Sequence, residues 1–212
     1  MREEVTDRLY AVFLESFADA TTSEEQLRIF WNQIASAYTD RKRHYHTLDH
    51  LEHLYEELSE VKENITDWNT LICTLFYHDM VYSPRSFKNE LKSAELAGEH
   101  LRSIGVSEEK IEKCRDQILA TKHHRKSEDK DTNYFLDADL SILGATEDTY
   151  GSYVQNIRKE YKLVPRGIYR KGRKKVIRNF LAMEQIYKTD HFYNKYEDPA
   201  RANLSSELEK LQ

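Results

Sequence analysis

An all-α fold follows from three features of this chain of 212 residues. Apolar residues recur at spacings of three and four through most segments, the period of one helix face. Charged residues make up 33% of the sequence, whereas glycine and proline contribute only six and three, too few for the turns of a β-rich fold. Helix-start and helix-stop signals also punctuate the apolar runs. The expectation is a single domain over residues 1–212 with about nine or ten helices and minimal strand. Its functional core covers about residues 41–145, and C-terminal helices follow over 146–212.

The elements can be justified in order. Val5, Leu9, Val12, Phe13 and Phe17 lie on one face of a first helix. "TTSEEQ" places hydroxyl residues ahead of Glu, a capping pattern, and opens a second helix carrying Leu27, Phe30, Trp31 and Ile34. After the basic turn "TDRKRH", Thr47 caps a helix running to about Val61. "ITDWNTLICTLFYHDMVYSP" reads as a strongly apolar helix ending near Tyr82, before Pro84. "NELKSAELAGEHLRSIG" is another, with Gly105 at the position after the C-cap. "SEEKIEKCRDQILATKHH" is a helix, "HHRKSEDKDTN" a polar loop, and "YFLDADLSILG" a short apolar segment closed by Gly144. Three more helices follow: "EDTYGSYVQNIRKEYKLV", "GRKKVIRNFLAMEQIYKT" and "DPARANLSSELEKLQ", with Pro199 suited to the first turn of the last.

Composition narrows the function. A formal charge of −5 argues against stable nucleic-acid binding by the whole molecule. The most basic run, "YRKGRKKVIR", reads first as a solvated helix face and second as the rim of a substrate mouth. Cys73 and Cys114 lack CxxC spacing and sit in apolar helices, the pattern of buried thiols in a reducing compartment. No apolar run is long enough to span a membrane, and "MREEVTDRLYAVFLESF" is not a signal sequence, so the expected location is cytoplasmic. Monomer and homodimer are equally compatible with these features.

Histidine clustering is the sharpest signal. Four of the nine histidines, His44, His46, His50 and His53, fall within ten positions. A solvated polar face, a pH-sensitive patch and part of a metal site are the competing explanations. On a helix, His46 and His50 would stack on one face. His78 and Asp79 close a segment too apolar to be exposed, where an imidazole and a carboxylate need compensating partners such as a cation. Asp137 or Asp139 in "FLDADLSILG" supplies a third apolar segment bearing an acid. Any one of these residues alone reads as a satisfied core group, and a His-Asp dipeptide is common by chance. The weight lies in the order His, His-Asp, Asp.

That order, with "YHTLDH", "HDMVYSPRSFKNELKSA", "ATKHH", "LDADLSILG", "IRKEY", "GRKKVIRNFL" and "ARANLSSEL", resembles the HD superfamily of metal-dependent phosphohydrolases. The closest likeness is to its small family of predicted phosphohydrolases. The motifs run from about residue 41 to the end, and Thr47 stands where that family commonly has Asn. "YHTLDH" and "ADLS" are also similar to segments of cyclic-nucleotide phosphodiesterases. The resemblance implies His50, His78, Asp79 and Asp139 as metal ligands, with Asp139 favoured over Asp137, and His46 as proton donor to the leaving oxygen or as a phosphate contact.

Two imidazoles and two carboxylates suit one divalent transition ion (Mn, Co, Ni, Fe or Zn, with Mg less well matched). Such an ion makes hydroxide available near neutral pH to attack phosphorus. Arg43, Lys122 and His123 are the candidate phosphate contacts. Glu90 is a candidate acid/base or a group orienting a ligating imidazole, and Asn89 a helix cap. The expected substrate is a nucleotide or another small phosphorylated metabolite, as monoester ahead of diester. Two alternatives stand beside it: an HD fold serving only as a ligand-binding or interaction module, and HD-fold lyase or oxygenase chemistry.

Overall fold

The computed structural model describes residues 2–18 and 22–211; Met1, Thr21 of the "TTSEEQ" signal and Gln212 lie outside the described residues. Among the described residues the regular structure is helical throughout, without strand. The helices are α1 (Arg2–Glu15), α2 (Glu24–Tyr38), α3 (Leu48–Ser59), α4 (Trp68–Tyr77), α5 (Asn89–Ser103), α6 (Glu108–Ala120), α7 (Lys130–Leu140), α8 (Glu147–Glu160), α9 (Arg166–Leu181) and α10 (Asp190–Lys210). Single 3-10 turns follow α3 at Lys62–Asn64 and α7 at Ser141–Gly144. No helix among these residues is long and apolar enough to cross a membrane. The chain divides into two compact units, Met1–Phe135 and Leu136–Gln212, at a point inside the unbroken helix α7.

In the first unit α4 is the organising element. Every residue from Thr70 to Tyr77 is buried. Phe76 meets Phe13 and Trp31 edge-on at 5.4 and 5.8 Å between ring centres, so α1 and α2 close over one flank. Edge-to-face pairs of this kind add to what area burial contributes. A buried helix must satisfy its terminal N–H groups internally. Asp67 does so from the N-cap, accepting from the Thr70 amide and hydroxyl. Asp131, in the first turn of α7, accepts from the amides of Thr66 and Asp67 at 2.8 and 2.9 Å and from Lys113 Nζ at 2.7 Å. Its carboxylate therefore anchors the entrance of α4.

The far end of α4 corrects one expectation. The helix stops at Tyr77 with His78 as its C-cap, short of Tyr82. The reason lies in three side chains that capture the backbone beyond. Arg43 binds the carbonyls of Asp79 and Met80, and Ser93 accepts from the Val81 amide at 3.0 Å. Asn89 lies just inside α5, after the N-cap Lys88, and spends its amide on Ser83. Gly105 adopts φ 76° after α5, where the amides of Gly105 and Val106 return to the carbonyls of Arg102 and Leu101. This is the left-handed stop expected from the sequence.

In the second unit Asp137 is fully buried and accepts from the amides of Lys188 and Thr189 and from the Thr189 hydroxyl. Glu197 takes the amides of Ile186 and Tyr187, and Arg201 binds the carbonyls of Leu181, Met183 and Glu184. Side chains thus replace helical bonding over 182–189. This is why α9 ends at Leu181 and does not run on to Thr189, as the apolar period suggested. The same capture starts α10 at Asp190, so Pro199 lies in the helix interior and not in its first turn. The polar stretch 123–133 likewise becomes helical from Lys130, because Asp129 accepts from the Thr132 amide and hydroxyl. In the basic run, Arg173 is buried against Glu207 at 2.8 Å, while Lys171 and Lys175 are exposed and Lys174 is half-buried.

Candidate metal centre

His50 enters the site from the first turn of α3, and His78 from the turn that ends α4. Both are buried, and their Nε2 atoms lie 3.3 Å apart. His78 Nδ1 is 2.8 Å from the Leu75 carbonyl. A carbonyl only accepts, so Nδ1 carries the hydrogen and Nε2 carries the lone pair. Imidazoles that ligate a metal through Nε2 are commonly oriented by such a bond at Nδ1. Asp79 Oδ2 adds an anionic oxygen 3.4 Å from His78 Nε2 and 3.6 Å from His46 Nε2. Burial alone would raise the Asp79 pKa. His78, His46 and His50 outweigh it and hold the carboxyl well below the usual carboxylate range.

His46 departs from the helical stacking expected of it. It precedes the N-cap Thr47 and belongs to the turn leading into α3. The two rings still meet, with centres 5.8 Å apart, because the turn folds back over the helix start. Thr47 caps α3 through its backbone only, and its hydroxyl points back to the Tyr45 carbonyl. His46 keeps 16% of its side chain exposed and Asp79 20%, against 1% for His78, so the first two form the open side of the cluster.

The spacing fits a cation. With metal–nitrogen bonds of about 2.1 Å, neighbouring ligand nitrogens lie about 3.0–3.4 Å apart, which matches the His50–His78 separation. Two imidazole nitrogens facing at this distance must share a proton or a cation. Among the described residues of the first unit, His50 and His78 belong to a possible metal-binding group. Asp139 is the penultimate residue of α7, one turn beyond Phe135, whose ring packs edge-on against His78 at 5.5 Å. Asp137 is committed elsewhere, to Lys188 and Thr189.

The other sequence candidates occupy varied positions. Arg43 spends both terminal nitrogens on backbone carbonyls. Lys122 donates to the Phe87 carbonyl at 3.0 Å, and His123 is exposed just after α6. Glu90, in the first turn of α5, has a buried Oε2 without a hydrogen-bond partner. Ser93, within the "NELKSA" motif, holds the Val81 backbone. His44 and His53 are half-buried.

Three tyrosines that were not among the sequence's site candidates lie beside these groups. Tyr38, fully buried at the end of α2, accepts from the Asp79 amide at 3.2 Å. Tyr45 and Tyr82 bring their rings to 5.0 and 4.3 Å from His46. Tyr45 and Tyr82 fall inside motifs already singled out, whereas Tyr38 carries no sequence mark beyond closing an apolar helix. Comparison with known proteins returned no matching family model, no similar curated protein and no similar solved structure.

Proposed function

We propose that this chain is a metal-dependent phosphohydrolase of the HD type, acting on a nucleotide or another small phosphate ester, monoester before diester. The observation that carries the reading is the His50–His78 pair, nitrogen to nitrogen at 3.3 Å with the His78 tautomer fixed by Leu75. His50, His78 and Asp79 would hold one divalent transition ion, with Asp139 the further ligand that the motif order implies. The ordered motifs of the sequence supply the reaction class.

When bound, such an ion supplies a Lewis acid and an activated water. The chain's own groups do the rest. Hydrolysis adds the oxygen of water to phosphorus and releases an alcohol, which needs one proton at the leaving oxygen. His46 is our donor, since its Nε2 lies 3.6 Å from the Asp79 carboxylate and its edge is open to solvent. Tyr45 and Tyr82 flank that ring and limit its rotation. Glu90 is our second proton-handling group, on the strength of its unpaired buried oxygen. Lys122 and His123 are the proposed contacts for the remaining phosphate oxygens.

Metal content of the purified chain and of His78→Ala, joined to a screen of phosphomonoesters and phosphodiesters with added Mn, Co, Ni, Mg and Zn, tests this. About one ion per chain in the wild type, lost with turnover in the variant, is the expected result. A wild type that binds none of these metals overturns the proposal. Metal binding without turnover of any phosphate ester would favour the ligand-binding module.

A further inference from the structure

Arg43 shares the basic turn ahead of the histidine cluster, which made it a candidate phosphate contact. Its bonds point elsewhere. Nη1 donates to the Asp79 carbonyl at 2.8 Å and to the His46 carbonyl at 3.4 Å, and Nη2 donates to the Met80 carbonyl at 2.9 Å. The guanidinium lies over the rings of Tyr38 and Tyr82, 4.8 and 5.5 Å from their centres. Its own backbone is pinned by a hydrogen bond from its N–H to the Asp40 carbonyl at 2.9 Å. Tyr38, stacked under it, receives the Asp79 amide. Arg43 thus joins three segments: the end of α2, the turn bearing His46, and the exit from α4 bearing His78 and Asp79.

We infer that Arg43 is a positioning residue that clamps the His78-Asp79 turn against the His46 turn and so sets the geometry of the metal group, with no direct part in holding phosphate. The chemistry of the fork explains the choice of residue. A planar guanidinium offers parallel donors that span two successive carbonyls, while a lysine ammonium is a single point charge. Without the clamp, the Asp79 and Met80 carbonyls can rejoin a helical path. The backbone would then rotate His78 Nε2 and Asp79 Oδ2 away from His50 and His46. Groups that orient metal ligands in this way typically carry a tenfold to hundredfold share of metal affinity.

This inference rests on the metal reading above, and the experiment separates the two. Co(II) binding is measured by calorimetry and by its visible absorption for wild type, Arg43→Ala and Arg43→Lys, with circular dichroism confirming the helical fold. Binding of inorganic phosphate to each Co(II)-loaded protein is measured alongside. Both variants are expected to bind Co(II) about 10- to 100-fold more weakly, with an altered absorption band and with lysine giving no rescue. If Arg43→Ala does not fold, the lysine variant carries the test alone. Unchanged Co(II) affinity and spectrum, with phosphate binding lost, would overturn the inference and return Arg43 to the substrate. Failure of wild type to bind Co(II) would overturn the metal reading itself, and the inference with it.

Discussion

His50 and His78 face each other through Nε2 atoms 3.3 Å apart, and the His78 ring cannot turn its hydrogen inward because Leu75 holds Nδ1. A divalent cation that bridges the two nitrogens binds the folded chain and not the unfolded one. At a hundredfold excess over its Kd it stabilises the fold by about 2.7 kcal/mol. Thermal melts of wild type with and without Mn(II) or Co(II) should therefore separate, and those of His50→Ala and His78→Ala should coincide. A metal-induced shift that survived both substitutions would place the ion elsewhere.

Asp131 gives the fold a defined acid sensitivity. Burial raises its pKa, but Lys113 and the amides of Thr66 and Asp67 outweigh that and lower it below the ordinary value. A depressed carboxyl contributes stability that is complete above its unfolded value of about 3.9 and is lost as the pH falls through the folded value. Asp131→Asn should cost about 2–3 kcal/mol at pH 7. In urea melts that difference should hold down to about pH 5 and narrow under stronger acid. An equal difference at pH 7 and in strong acid would show that the charge is irrelevant.

Two glycines of the second unit should respond oppositely to alanine. A Cβ on Gly144 would lie 2.7 Å from Tyr196 Cβ and 2.9 Å from the Tyr196 carbonyl, a clash with the backbone of α10. Gly144→Ala should cost about 1–3 kcal/mol. Gly151, inside α8, has open space where its Cβ would stand, so Gly151→Ala should gain about 0.5–1 kcal/mol from helix propensity. Denaturant midpoints of the two variants on either side of wild type would bear this out.

The thiols should be silent. Burial pushes the Cys114 thiol up to about 12 and raises Cys73 well above its ordinary value. Only the thiolate reacts, so at pH 8 almost none is available in the native chain. A disulfide reagent such as DTNB should label neither cysteine in the native protein and both after unfolding in guanidinium. Rapid native labelling of Cys73 would mean that α4 opens locally.

Much of the fold was legible in the sequence because its signals are local. Helical period, the Ser23 cap of α2 and the Gly105 stop each act within a few residues, and each stands where expected. The errors share one physical origin. Tyr82, Thr189 and Pro199 were misjudged because Arg43, Asp137, Glu197 and Arg201 take backbone groups from segments distant in sequence. Such captures leave no periodic trace. The site divides the same way. His50, His78 and Asp79 were legible as polar residues in apolar surroundings. Tyr38 and the Leu75 carbonyl act through main-chain hydrogen bonds that no residue type announces.

The burial of α4 on every side also decides where this protein can be re-engineered. With Thr70 to Tyr77 enclosed, no position there can vary without disturbing several neighbours at once. The floor of the centre is therefore the part least open to mutation. Adjustable surface remains in the half-exposed turn 40–47, which carries His46, and in the loop 83–88, which follows the exit of α4. A library meant to alter the proposed activity belongs in those two segments. Variation inside α4 would return mostly unfolded clones.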